Sequence, residues 1–359
     1  MDRKLLKIPG MIDVHVHLRD PGATHKEDFY TGTCAALAGG VTTILDMPNN
    51  PIPIVSQKSL KEKMSVAKDK AVCDYGFYFG AGQANFEEHL KVGKEVCGLK
   101  VYLDSTHGPL LVKDLATLMK HFKYWSFGKP ICVHAEDLSV AEVLGLVAIY
   151  QKPVHFCHIS QASEIFLIQA AKEKKLPVTC EVTPHHLFLT ENDEASLGPY
   201  AKMRPPLRTK QDQEALWKAV NNGVVDVIAS DHAPHTVGEK GSVNPPFGVP
   251  GLETTLPLLL TAVSQGRLTL ERLIELVSIN PARIFGLKTD LQNTYLEVDL
   301  EKEWVINNTA LATKCGWSPF DGWKVRGKVR KVYLRGMKVF EDGEVLARPG
   351  FGRLVIHEN

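Results

Sequence analysis

The sequence has no apolar run of the about 20 residues that a bilayer-spanning helix requires. No membrane span is therefore expected. It has no basic excess either: 42 Lys and Arg stand against 41 Asp and Glu, a net charge of +1. A surface that binds nucleic acid needs clustered positive charge, so no nucleic-acid partner is expected. The first residues, Met1-Asp-Arg-Lys-Leu-Leu-Lys7, lack the apolar core of a secretory signal. Cysteine is sparse, and its seven copies are odd in number and without paired spacing. That fits reduced thiols in the cytoplasm better than a disulfide framework. There is no repeat, no low-complexity tract and no G-x-G-x-x-G phosphate loop.

What is present is enough chain for a large core: 359 residues, 44% hydrophobic and 23% charged. Apolar, β-rich runs occur at Met11–Leu18, Val41–Met47, Val72–Gly80, Gly98–Leu103, Pro130–Ala135, Pro153–Ile159, Pro177–Val182 and Val224–Ser230. Segments of helical period lie between them, including Ser56–Lys68, Phe86–Glu95, Val112–Phe122, Leu138–Tyr150, Gln161–Lys174 and Lys210–Asn221. Thr24-His-Lys-Glu27 has the form of a capping box for the first helix. Eight strands alternating with helices predict a (β/α)8 TIM barrel over residues 1–289, with an open doubly wound sheet as the alternative. Leu252–Ser264, Leu268–Val277 and Pro281–Leu287 read as closing helices. Residues 290–359 change character. Val325–Leu334, Met337–Phe340 and Glu344–Leu346 read as hairpin strands of a small β-rich extension packed on the barrel.

The polar residues inside these strands fall late in each run. His15 and His17, two apart, share one face of the first strand and can grip one ion. Asn49 follows the second strand, and Lys100 interrupts the fourth. His134, His158 and Asp231 close the fifth, sixth and eighth. In a parallel barrel these ends converge on the mouth where catalysis takes place. Each residue alone is also compatible with a satisfied core polar group. As a set, imidazoles and a carboxylate suit zinc. There are more donors than one tetrahedral ion needs, so two ions fit, bridged by an anion. Lys100 has two readings: a buried ammonium paired with a carboxylate, or a lysine converted by CO2 into an anionic carbamate.

Taken together, His15-Val-His17-Leu-Arg19-Asp-Pro-Gly22, Met47-Pro-Asn-Asn50, Lys100, His134-Ala-Glu136, Cys157-His158, Pro184-His-His186, Ser230-Asp-His-Ala-Pro-His235 and Asn280-Pro-Ala-Arg-Ile-Phe-Gly286 resemble the dihydroorotases of the amidohydrolase superfamily. The likeness is greatest to the dihydroorotase domain of the multifunctional animal pyrimidine-synthesis polypeptide, and it runs to the tail at Gly350–Leu354. It implies zinc on His15, His17, Lys100 and Asp231, and a second zinc on Lys100, His134 and His158, with Lys100 as N6-carboxylysine. The implied reaction is reversible closure of N-carbamoyl-L-aspartate to dihydroorotate in pyrimidine synthesis, with Asp231 carrying the proton. Arg19, Asn49 and His235 would hold the substrate carboxylate, and Arg204 would make another substrate contact. The Pro245–Gly251 loop, with Phe247, would touch the ring.

The resemblance also implies a third ion at Cys157 and Glu181. Cys157 and His158 are adjacent, however, so a strand end or bulge is needed for both to face one cluster. Asp104-Ser-Thr-His-Gly-Pro109 matches a mobile loop whose Thr106 meets substrate. His107 stands there in place of the aromatic residue of the animal pattern. A homodimer is implied, and the short lead-in before Met11 fits a module of a longer polypeptide. Two other readings remain: a related cyclic amidase such as a hydantoinase or allantoinase, and a catalytically inactive dihydroorotase-like scaffold.

Overall fold

A short strand, β1 (Leu6–Pro9), turns at Gly10 into the first barrel strand in the computed structural model, which describes residues 5–105, 110–288, 290 and 292–356. The barrel strands are β2 (Met11–Val16), β3 (Val41–Asp46), β4 (Asp74–Gly80), β5 (Gly98–Tyr102), β6 (Ile131–His134), β7 (Val154–Phe156), β8 (Val178–Val182) and β9 (Val227–Ile228). They pair in parallel in chain order. Val16 bridges to His232, and the His17 amide donates to the His232 carbonyl at 2.8 Å. The last strand thus returns to the first, and the open doubly wound alternative is excluded.

Helices Phe29–Ala38, Gln57–Lys70, Glu88–Val92, Leu115–Tyr124, Leu138–Tyr150, Ala162–Glu173 and Lys210–Asn221 make the crossovers, and Thr255–Ser264 follows β9. Every residue of β2 and β5 is buried, as expected where helices cover one face of a sheet and a packed interior the other. Ile44, Phe77, Leu99, Ile131 and Phe156 belong to the large apolar core of the barrel. Among the described residues no helix is long and apolar enough to cross a membrane.

The expected capping box at Thr24–Glu27 does not form. Helix Phe29–Ala38 is capped instead by Asp28, whose carboxylate accepts the Thr31 amide at 3.0 Å while Thr31 Oγ1 accepts the Asp28 amide. Glu27 is fully buried. It accepts the Thr313 hydroxyl and the Lys314 amide, so its carboxylate anchors a distant segment.

The second sheet is antiparallel, in the order β1, β10 (Tyr295–Val305), β11 (Lys324–Leu334), β12 (Met337–Glu341), β13 (Glu344–Val345). Its two-residue turns, Arg335-Gly336 and Asp342-Gly343, have positive φ at both positions, the geometry that suits strand twist. The C-terminal tail supplies most of this sheet, as expected. β1 is an addition: Leu6 pairs with Val298 and Pro9 with Tyr295. Four residues carry too little alternation to declare themselves a strand in the sequence.

Candidate metal centre and substrate cleft

Alternation along β2 places Asp13, His15 and His17 on one face. Asp13 lies deepest and accepts the amides of His15 at 3.1 Å and Ser230 at 3.1 and 3.2 Å. That ties the first strand to the end of the last. Asp231 then reaches both histidines, with Oδ1 at 3.3 Å from His15 Nε2 and 3.0 Å from His17 Nε2. The far nitrogen of each ring is also fixed. His15 Nδ1 faces Glu181, and His17 Nδ1 lies 2.7 Å from Asn49 Oδ1. Anchoring one nitrogen to an oxygen sets the tautomer and aims the other nitrogen at the centre.

Electrostatics favour a cation here. Burial and the Lys100 ammonium press His15 toward the neutral form, yet the Glu181 and Asp231 carboxylates prevail and raise its pKa to about 10. The two carboxylates are held well below their ordinary range; burial opposes this, but His15 and its neighbours overcome it. His17, dominated by burial, drops to about 3 and stays neutral.

A second group of donors adjoins the first. His134 Nδ1 and His158 Nε2 lie 2.9 Å apart, and the His15 and His158 rings are 5.1 Å apart between centroids. His134 Nε2 and His158 Nδ1 make no hydrogen bond although both are buried, and Glu136 Oε1 is 3.4 Å from the former. Burial, the leading cause in each, keeps both rings neutral. Buried lone pairs without partners are costly unless something binds them. Lys100 is fully buried, and its amine donates to Cys157 Sγ at 2.9 Å. Among the described residues no carboxylate lies within ion-pair range of it, so the paired-ammonium reading fails. The donors fit a cation pair on this chemistry: neutral imidazoles, an excess of carboxylate charge, and beside them a buried lysine whose described partner is a thiol and not a carboxylate.

β7 ends at Phe156 and His158 takes a left-handed φ of 34°, so regular alternation stops before this pair; Cys157 groups with His15 and Glu181, and the His158 amide donates to Glu181 Oε1 at 3.2 Å. Ligand atoms of His15, Cys157 and Glu181 lie within 4.8 Å of one another, as do those of His15, His17 and Asp231. Arg19 and Asp231 are left-handed as well, at 62° and 46°. Three bulky residues with positive φ at one mouth mark strain concentrated at a functional site.

A small cleft opens above these groups at the C-terminal ends of the strands. Arg19, Asn49, Arg204 and Phe247 line it, as expected from the sequence. Arg19 donates from Nε to the Pro234 carbonyl at 3.1 Å, its Nη2 lies 3.2 Å from His235 Nε2, and the guanidinium lines the cleft. His235 sits behind this wall. Lys26 Nζ lies 3.1 Å from its Nδ1, and its Nε2 lies 2.9 Å from the Phe247 carbonyl oxygen and 3.2 Å from Arg19 Nη2. Thr106 and the rest of its loop tip lie outside the described residues.

Several participants were missed in the sequence. Tyr102 lines the cleft with its hydroxyl buried and unpartnered. It stands two residues after Lys100, so strand alternation could have flagged it. Asp13, two before His15, could have been found in the same way. His155 supports Glu181 at 3.0 Å, and Arg208 holds Glu136 at 3.0 Å; no spacing signals either.

A sequence profile of the amidohydrolase family matches residues 6–293. The chain is 50% identical over 351 residues to multifunctional protein CAD of Squalus acanthias, a match covering 98% of the chain but 16% of that protein. The chain thus spans only 16% of the length of this relative. It is 37% identical over 377 residues to the dihydroorotase of Pyrococcus furiosus, covering 99% of the chain and 86% of that protein. Among solved structures, L-hydantoinase (dihydropyrimidinase) from Arthrobacter aurescens superposes with a TM-score of 0.93 at 28% identity, over 98% of this chain and 89% of that one. The inactive dihydroorotase-like domain of a CAD-like multifunctional protein from Chaetomium thermophilum gives 0.83 at 27% identity, over 98% and 99%.

Proposed function

The chain belongs to the amidohydrolase family, and from that premise we propose that it is a dihydroorotase, closing N-carbamoyl-L-aspartate to dihydroorotate with loss of water and reopening the ring in reverse. The observation that carries this reading is the position of Arg19. It is a buried guanidinium opening into the same cleft as His15, His17, His134, His158 and Asp231. A cyclic amide bearing a carboxylate satisfies both halves of that cleft.

His15, His17 and Asp231 would hold one zinc, and His134 and His158 a second, with Lys100 joining the two as its carbamate. Cys157 and Glu181 would hold a third beside His15. Bound zinc makes hydroxide available near neutral pH and polarises the amide carbonyl. In the hydrolytic direction Asp231 takes the proton of the attacking water at a carboxylate oxygen and returns it to the leaving ring nitrogen. In the synthetic direction the same carboxyl group works in reverse. Arg19 and Arg204 orient the substrate carboxylate through paired N–H donors. Asn49 steadies His17 and faces the cleft, and the Tyr102 hydroxyl is free to donate to a carbonyl. His235 fixes the Phe247 carbonyl, and Thr106 would close on the ring from its loop.

We take residues 1–289 as the catalytic barrel and 290–359 as its extension, with β1 shared into the latter's sheet. A cytoplasmic location agrees with seven free, buried cysteines. A homodimer is supported by exposed Leu138, Ile149 and Phe166 on neighbouring barrel helices. The 50% identity to part of a multifunctional protein supports a module of a larger pyrimidine-synthesis polypeptide.

The likeness to a hydantoinase favours a second reading, a cyclic amidase for uncharged rings. Turnover of dihydroorotate, hydantoin and allantoin by the zinc-loaded protein separates the two. We expect dihydroorotate to be preferred at least a hundredfold; equal or better turnover of hydantoin would reverse the assignment. The inactive scaffold would turn over none of the three.

A further inference from the structure

Lys240 closes the short helix Val237–Lys240 and is fully buried. Its Nζ donates to three backbone carbonyls: Lys202 at 2.9 Å, Pro246 at 3.1 Å and Gly248 at 3.1 Å. An ammonium has three donors and no acceptor, so this cage uses its full capacity. The Trp317 ring caps it at 5.4 Å, a cation–π distance. Burial and the neighbouring Lys202 ammonium draw its pKa down to about 7. The three carbonyls, each favouring the third proton, act in the opposite sense.

The three carbonyls belong to two separate stretches of the cleft wall. Lys202 precedes Arg204 by two residues, and Pro246 and Gly248 flank Phe247. The stretches meet where the Gly248 amide donates to the Lys202 carbonyl at 3.1 Å, and where the Phe247 ring lies 5.2 Å from Arg204 Cζ and 5.0 Å from Lys202 Nζ. Gly248 leaves no room for a side chain: its φ is +129°, and a Cβ there would meet the Ala233 carbonyl at 2.6 Å.

We propose that Lys240 is a positioning residue for substrate recognition, its ammonium clamping the Lys202–Arg204 stretch to the Pro246–Gly248 loop so that Arg204 and Phe247 face the bound ring together. It touches neither the substrate nor the reacting atoms. Its removal should therefore weaken substrate binding and leave the chemical step alone. The kinetic arm rests on the dihydroorotase reading; a second arm does not.

The test compares wild-type protein with Lys240→Met, which keeps the stem and removes all three donors. KM for dihydroorotate is expected to rise about tenfold with kcat within twofold. Amide exchange over residues 245–250, measured by mass spectrometry, is expected to quicken at least tenfold while exchange in the barrel strands stays the same. Lys240→Gln, with two N–H donors, should fall between, and it replaces the Met variant if that protein does not fold. Unchanged KM, or a lowered kcat at constant KM, overturns the proposal. If wild-type protein does not turn over dihydroorotate, the function assignment fails, and the exchange arm alone decides: unaltered exchange over 245–250 overturns the clamp.

Discussion

His17 Nε2 and Asp231 Oδ1 lie 3.0 Å apart although 214 residues separate them in the chain. The barrel joins its first strand to the end of its last, and that closure delivers the carboxylate to the paired imidazoles. Asp231→Asn keeps the shape and removes the proton acceptor. We expect kcat for dihydroorotate to fall by about 10²–10⁴, the usual contribution of general acid–base catalysis, with the far-ultraviolet circular dichroism unchanged. Turnover within a few fold of wild type would remove Asp231 from the mechanism.

Glu181 is the hub beneath the centre, accepting from His15, His155 and the His158 amide. Because it supports His15 and is a ligand of the proposed third ion, its loss is expected to lower metal affinity by at least about 10–100-fold. Glu181→Gln should release zinc to a chelator at correspondingly lower concentration, as read by metal analysis after dialysis. Retention equal to wild type would show that His15 needs no such anchor.

Lys100 offers a chemical test. If its carbamate joins the ions, stripped protein reloaded with zinc in CO2-free buffer should regain less than half the activity regained with bicarbonate. Lys100→Arg, which cannot form the carbamate, should stay inactive in both. Full recovery without bicarbonate would mean that the amine is not modified.

A buried pair outside the cleft predicts acid sensitivity. His89 and His121, fully buried, lie 3.3 Å apart between ring nitrogens in a box with Phe86 and Trp125. Burial lowers their pKa values to about 3 and about 4. The unfolded chain binds protons at these groups near pH 6.5 and the folded chain does not. Their stabilising effect is therefore present above pH 6.5 and is lost as pH falls toward 4. The linked loss is at most about 2 kcal/mol per histidine between pH 6.5 and 5. His89→Phe should flatten the urea-unfolding free energy over that interval relative to wild type. Parallel curves for the two proteins would place the acid sensitivity elsewhere.

The barrel was legible because each parallel strand is buried on both faces and reads as a short apolar run. Six of the eight runs overshoot the ladders at their C-terminal ends; those that end at Gly80 and Val182 do not. Val224–Ser230 was expected as a strand, but only Val227–Ile228 pairs, because Ser230 and Asp231 turn out of the ladder to build the site. The metal donors were legible through strand alternation and their shared late position. Glu27 misled, since a carboxylate three residues after Thr24 reads as a cap while its partners lie at Thr313 and Lys314. Lys240 gave no signal at all, because its partners are backbone carbonyls, which leave no trace in residue identity.

The pairing of β1 with β10 has a mechanical meaning. The peptide that leads into His15 and His17 is stitched to a strand contributed by the far end of the chain, with Gly10 as the single residue between β1 and β2. A cut anywhere between Leu287 and Tyr295 that let the small sheet drift away would also tug the metal-gripping strand at its root. Barrel and extension should accordingly melt in a single transition, and a version shortened to the barrel alone should lose its grip on zinc before it loses its helices.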